Sequence, residues 1–213
     1  MNELEKLTAP RFTLKDVTIH EKKRVFKGHF AVDNYIVSYK KFTGGTTNKL
    51  VREIFERDAE AVAIVPYDPT TDEVVLIEQF RPGALNDPVS PWLIEIVAGM
   101  VDAGESREEA ACRELYEEAK LKIKPSDLSL VSSLYPSPGG TSEVVTVYLA
   151  KVDASHLASS GGLACEDEDI RIFKVKAKDA FTLCKNRRIC NCAALVGLMY
   201  LELNYQKIRA IND

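Results

Sequence analysis

Histidine is scarce in this chain. The three present, His20, His29 and His156, are too scattered for a His-rich metal site or a catalytic triad, so any chemistry must rest on carboxylates. Cysteine is sparse and odd in number, at positions 112, 165, 184, 190 and 192, with no C-x-x-C pair. That excludes a disulfide framework or a zinc site and leaves ordinary reduced thiols. Cys112 reads as a small buried side chain. No apolar run approaches the ~20 residues of a membrane span. The net charge of -4 gives no electrostatic footprint for nucleic acid. The opening MNELEKLTAPRF lacks the apolar core of a signal peptide, which predicts a cytosolic protein. Internal repeats and low-complexity tracts are absent.

What is present is a chain of 213 residues, 46% hydrophobic, enough for one full domain with a small appendage or for two small ones. Residues 12 to 55 are rich in β-branched and aromatic residues (TLKDVTIH, HFAVDNYIVSYKKF, NKLVREIF), with Gly44-Gly45 as a turn. AVAIVPYD and EVVLIEQF read as strands separated by the turn at Asp68-Pro69, and WLIEIVAGMV as one further strand. LSLVSSLY, EVVTVYLAKV and IRIFKV are strands; AKDAFTLCKN and CAALVGLMYLELNYQKI are each one helix. Strands interleaved with a few helices predict an α/β/α sandwich over a mixed sheet, residues 56–213, preceded by an antiparallel β segment, residues 1–55.

Residues 99–121, GMVDAGESREEAACRELYEEAKL, carry the most information. Ser106 with Glu109 is a capping box, so a helix starts there and runs to about Lys120. Ala111, Leu115 and Ala119 recur every four residues as its buried stripe. Glu114 and Glu118 are also four apart, with Glu117 between, so three carboxylates gather on one side. Such like charges repel. A hard divalent cation such as Mg²⁺ resolves the conflict, because it binds through a few carboxylates plus substrate phosphates. The alternative is an amphipathic surface helix with a solvated acidic face.

The spacing of Gly99, Glu105, Arg113-Glu114-Leu115, Glu117-Glu118 and Leu121 resembles the signature of the Nudix hydrolases, with one departure: Lys120 stands where the signature has glycine. The resemblance implies a Nudix-like α/β/α fold and hydrolysis of a nucleoside diphosphate linked to another group, with Mg²⁺ (or Mn²⁺) as cofactor. It implies Glu114, Glu118 and the backbone carbonyl of Ala98 as metal ligands, with Glu117 a further ligand or an orienter. Gly99 lets the backbone approach closely, and Arg113 pairs with Glu105 to hold loop to helix. Glycine at position 120 would ease a left-handed cap; a lysine there suits the helix dipole, at a modest local cost.

GLACEDEDIRIF resembles the ADP-ribose branch of the family. The resemblance implies that Glu166 is the general base and Glu168 a metal ligand, or the reverse; alone, the acidic run reads as a solvated loop. REIFER (52–57) and SPGGTSE (137–143) also resemble that branch. They imply Arg52 and Arg81 as phosphate or base contacts, or else surface ion-pair partners, and Glu143 as acceptor for a ribose hydroxyl, or else part of a plain turn. His29 and Phe30 lie where the family stacks an aromatic on adenine, though a buried strand phenylalanine reads equally well; Met100 lines the pocket. In that branch the N-terminal segment mediates a homodimer, which suits a segment of about fifty residues, too small for a good core alone. A GDP-mannose or other nucleotide-sugar pyrophosphatase is the alternative enzyme, and a non-catalytic nucleotide sensor the alternative class.

Overall fold

The computed structural model describes residues 2–210, without the side chains of Glu166 and Ala210. Packing divides the chain into two units: residues 2–58 together with Ser137–Ser142, and the remainder. The loop at 137–142 therefore belongs with the first unit. There Phe55 N donates to Gly140 O at 2.8 Å and Ser142 N to Phe55 O at 3.1 Å.

The first unit opens with a short helix absent from the sequence reading, α1 (Glu3–Thr8), closed by an Asn2/Glu5 capping box. Three strands follow: β1 (Val17–Lys27), β2 (Ala31–Tyr39) and β3 (Leu50–Glu56). They form an antiparallel sheet in the order β1-β2-β3. Residues 14–16, read as strand, form a 3-10 turn instead, and β1 runs on to Lys27. On one face Asp33 is buried between Arg24, at 2.7 Å, and Lys22, at 3.2 Å. Glu56 accepts from Tyr35 OH and pairs with Lys22 on that face. Every residue of β1 is exposed, including Ile19, Val25 and Phe26.

The second unit has eight strands: β4 (Ala61–Asp68), β5 (Glu73–Phe80), β6 (Trp92–Glu95), β7 (Val97–Met100), β8 (Leu128–Leu134), β9 (Val145–Lys151), β10 (Ser160–Gly161) and β11 (Ile170–Lys176). Their order is β10-β11-β5-β4-β9-β8, with β6 on β5 and β7 on β4; β4 and β9 pair in parallel and the other neighbours antiparallel. Strand β4 is nearly all apolar because it is covered on both faces. Its Val62 and Ile64 point to the cluster under α2 (Arg107–Ala119), while Ala63, Val65 and Tyr67 point to α3 (Ala177–Lys185) and α4 (Cys192–Leu203). The result is a mixed sheet between helices, as the sequence predicts.

Residues 92–101 differ from the single strand expected. β4 and β5 pair only at Tyr67–Val74 and Asp68–Glu73 and then splay apart. The 92–100 segment fills the wedge, its first half on β5 and its second half on β4, with the break at Ile96. Pro66 sits in the same gap, after β7 pairing ends at Ile64 and before β5 pairing begins at Tyr67. A residue without an N–H is tolerated there inside a central strand.

The C-terminal helix also divides, into α4 and α5 (Tyr205–Ala210), with Asn204 capping the first. Just past the break, Tyr205 OH donates to Asp72 at 2.5 Å, and Tyr67 OH donates to the same carboxylate at 2.9 Å. Among the described residues no helix is long and apolar enough to cross a membrane.

Candidate active site

Helix α2 starts where its capping box says. Ser106 N donates to Glu109 at 2.8 Å, and Glu109 N to Ser106 Oγ at 3.2 Å. Ala111, Leu115 and Ala119 are fully buried against the sheet, worth roughly 2 kcal/mol for the leucine alone. Glu118 sits on the edge of this stripe, so its carboxylate is carried inward and is only 3% exposed. Glu114, one turn earlier, lies against the backbone of β7. A Cβ on Gly99 would stand 1.9 Å from its Cδ, so a side chain at that position would displace the carboxylate from where it lies.

Two donors reach Glu118: the N–H of Ala98 at 2.9 Å and, at 3.4 Å, the amide of Gln79. They do not offset its loss of water. Burial, with Glu114 and Glu168 adding repulsion against the relief from Ala98 and Arg81, pushes the Glu118 carboxyl up to about 8. Burial also raises Glu114, although Arg113 pulls the other way.

Arg113 is the hub on the flank. It grips Glu105 through Nε at 3.0 Å and a terminal nitrogen at 2.9 Å. It also reaches Glu114 at 2.8 Å, Glu117 at 3.0 Å and the Met100 carbonyl at 2.8 Å. One guanidinium thus ties the Gly99–Glu105 loop to the helix and orients two carboxylates. The Arg113–Glu105 pair expected from sequence is present. Glu117 faces this arginine and is held by it, while Met100 is partly exposed at the end of β7.

Lys120 ends α2 in the left-handed conformation that glycine would adopt freely, φ 56°, ψ 20°. For lysine this costs about 1 kcal/mol.

Beyond β10, the acidic loop is not extended. Ala164–Glu166 forms one 3-10 turn, and Asp167 follows with φ 53°. The extended geometry expected for this stretch is therefore lost, because a turn and a left-handed residue replace the pleat. The Glu168 carboxylate accepts from Leu163 N at 3.2 Å and lies near enough to Glu114, Glu118 and Arg81 to act on them electrostatically. The Glu166 side chain, expected as base, lies outside the described residues.

Arg81 leaves the end of β5 on the α2 side and clasps Glu95 at 2.7 and 3.0 Å. Glu143 is half-buried just ahead of β9. Gln79 and Glu95 escaped the sequence reading, although a period of two along Val75, Ile77, Gln79 and Arg81 would have placed Gln79 on the same face.

In the first unit Phe30 is neither buried nor in a strand. It lies in the β1–β2 connection, 39% exposed, against His29 (4.6 Å between ring centroids) and Phe55 (4.8 Å), with the Arg57 guanidinium 4.9 Å above the ring. Phe55, in β3, and Arg57, just past its end, were missed in sequence; both lie against Phe30. Arg52 alternates to the opposite face, where it lies across from Tyr35 and donates to the Val51 carbonyl at 2.9 Å.

Among the described residues no three His, Cys, Asp or Glu side chains form a ready-made metal cluster. Mg²⁺ does not need one, because it keeps several waters and binds through one or two carboxylates plus substrate phosphates. A buried and a largely covered carboxylate, mutually repelling on one helix face and both raised by loss of water, are a donor set that such an ion fits.

The NUDIX domain family matches residues 57–186, more than half of the chain. The chain belongs to the Nudix family. Among Nudix relatives it is 40% identical over 198 residues to an ADP-ribose pyrophosphatase of Escherichia coli (strain K12), covering 93% of each. It is 30% identical over 174 residues to a GDP-mannose pyrophosphatase of Pectobacterium atrosepticum, covering 81% of this chain and 87% of that one. A solved structure titled "Crystal structure of ADP compounds hydrolase" shares the Nudix fold with a TM-score of 0.70 at 23% identity, covering 93% of this chain and 99% of that one.

Proposed function

We propose that this Nudix enzyme hydrolyses the pyrophosphate of ADP-ribose, giving AMP and ribose 5-phosphate, with Mg²⁺ or Mn²⁺ as cofactor. The observation that carries the reading is the Glu114/Glu118 pair, Glu118 buried, closing on Gly99 and Ala98 inside a signature complete but for Lys120. A bound divalent ion supplies charge neutralisation at the bridging phosphates and lowers the pKa of water. Glu114, Glu118, Glu168 and the Ala98 carbonyl would hold it, while Arg113, which also grips Glu117, fixes the orientation of Glu114. Glu166 takes the proton from the attacking water. Arg81 neutralises phosphate charge, and its clasp on Glu95 fixes the guanidinium in place beforehand. Phe30, with His29 beside it, offers a flat face for adenine; Glu143 accepts from a ribose hydroxyl, and Met100 lines the pocket.

The second reading, GDP-mannose or another nucleotide sugar, is favoured by the 30% identical relative. A panel of nucleotide sugars with Mg²⁺, read for released phosphomonoester, separates the two. ADP-ribose is expected to be turned over fastest; faster release from GDP-mannose, or none from any, would overturn the assignment.

The proposal includes a homodimer through the first unit. Two features support it: β1 exposes Ile19, Val25 and Phe26, and Arg52 faces away from the Phe30 cluster, free to serve a second copy. Light scattering is expected to give twice the monomer mass, and removal of residues 1–50 a monomer that binds substrate weakly. A full-length monomer at micromolar concentration counts against it. Five free cysteines suit the reducing cytoplasm.

A further inference from the structure

Lys120 is the one position at which this chain departs from the signature, and its ammonium makes contacts that glycine could not. Nζ donates to the Glu117 carbonyl at 2.8 Å and reaches the Gly162 carbonyl at 3.5 Å. The same Glu117 carbonyl accepts the Gly162 N–H at 3.0 Å. The last turn of α2 and the root of the acidic loop are thus joined at one point, with the lysine bridging both carbonyls.

That root is packed without slack. A Cβ on Gly161 would stand 2.0 Å from the Glu118 carbonyl oxygen. A Cβ on Gly162 would stand 2.8 Å from both Cβ and the carbonyl oxygen of Glu168. Glu168 in turn closes the loop on itself, its N–H donating to the Leu163 carbonyl at 3.3 Å while its carboxylate accepts from Leu163 N. A displacement at Gly162 is therefore passed directly to Glu168. The helix terminus also favours a cation at this place, since the last carbonyls carry partial negative charge. The Tyr116 ring, 5.8 Å from the Lys120 ammonium, flanks it.

We infer that Lys120 is a positioning residue that docks the 161–168 acidic loop onto the carboxylate-bearing helix, replacing the signature glycine with a side-chain tether. The inference rests on the hydrolase reading for its consequence in catalysis, but not for its structural content.

Three variants test it. Lys120→Met keeps length and the left-handed strain but removes the charge; Lys120→Gly removes tether and strain together; Lys120→Arg restores a cation. Amide hydrogen exchange is followed in the metal-free protein alongside kcat and KM for ADP-ribose. The loss of one exposed charge-assisted hydrogen bond predicts about three- to tenfold faster exchange of the 162–168 amides in both Met and Gly variants. Amides of Ala110–Ala119 should stay as in wild type. A fall in kcat of similar size is expected at unchanged KM, with recovery in Lys120→Arg. A lysine that merely ends the helix would leave loop exchange unchanged in Lys120→Met, and that result overturns the inference. If the wild type turns over no nucleotide sugar while loop exchange still depends on Lys120, the hydrolase reading fails and the tether stands.

Discussion

Glu118→Gln is expected to stabilise the metal-free protein at pH 8 and, in the same molecule, to cut turnover of ADP-ribose by about a hundredfold or more. The two effects share one cause. The carboxylate is buried with Glu114 and Glu168 as neighbours and two neutral donors as its hydrogen-bond partners, and its pKa rises from 4.5 to about 8. A folded-state pKa above the unfolded one means that the folded protein holds the proton more tightly between those values. The contribution of Glu118 is then fully present below about pH 4.5 and is lost as pH rises through about 8. The full rise corresponds to roughly 5 kcal/mol as an upper bound. Glutamine keeps the shape and an oxygen for the Ala98 N–H but never ionises. The gap between mutant and wild type should therefore be near zero at pH 4 and widest above pH 8. Thermal melts in chelator at the two ends of that range measure it. Saturating Mg²⁺ should reverse the order at pH 8, because the ion binds the folded wild type more tightly than the mutant. A mutant less stable than wild type at pH 8 in chelator would contradict this account of the site, as would near-normal turnover.

Gly99→Ala should separate activity from folding in the other sense. The added methyl would lie 1.9 Å from Cδ of Glu114 and 2.0 and 2.4 Å from its oxygens. These atoms are the tip of a flexible side chain, so the clash is relieved by swinging the carboxylate away. Gly99 has an ordinary strand conformation opposite Val62, and that pairing survives the substitution. A loss of kcat/KM of about a hundredfold or more is expected, consistent with a displaced metal ligand. The melting temperature should move by no more than a few degrees, roughly 1 kcal/mol for a chain of this size. Adding back metal to high concentration should recover only part of the rate. Full activity in the alanine variant would show that Glu114 does not work from where it lies.

Helix α2 was legible because each of its determinants is local. The capping box, the i, i+4 stripe and the i, i+4 carboxylates depend on helical periodicity alone, and they place Glu114 and Glu118 on one side wherever the helix packs. The strands of the second unit were legible for a similar reason, from β-branched runs bounded by turns. Locality also marks the limit. The 92–101 stretch reads as one strand, since nothing within it records that its two halves pair with different partners. The final helix reads as continuous because its apolar pattern runs through Asn204, where α4 ends. The acidic loop reads as extended because acidic residues after glycines do not specify a turn, whereas docking on the end of α2 does.

Sequence alone therefore determined helix α2, most of the strands, the family signature and its carboxylates, all of which follow from spacing along one chain. Only the tertiary structure decided how deeply Glu118 is buried, that Glu114 rests on the bare backbone of Gly99, that Arg113 holds two of the glutamates, and that Phe30 and Arg52 lie on different faces of the first unit. These depend on which distant segments come within a few ångströms, and on how much water they displace. Desolvation and close approach are properties of the packed assembly of elements, and no single element encodes them.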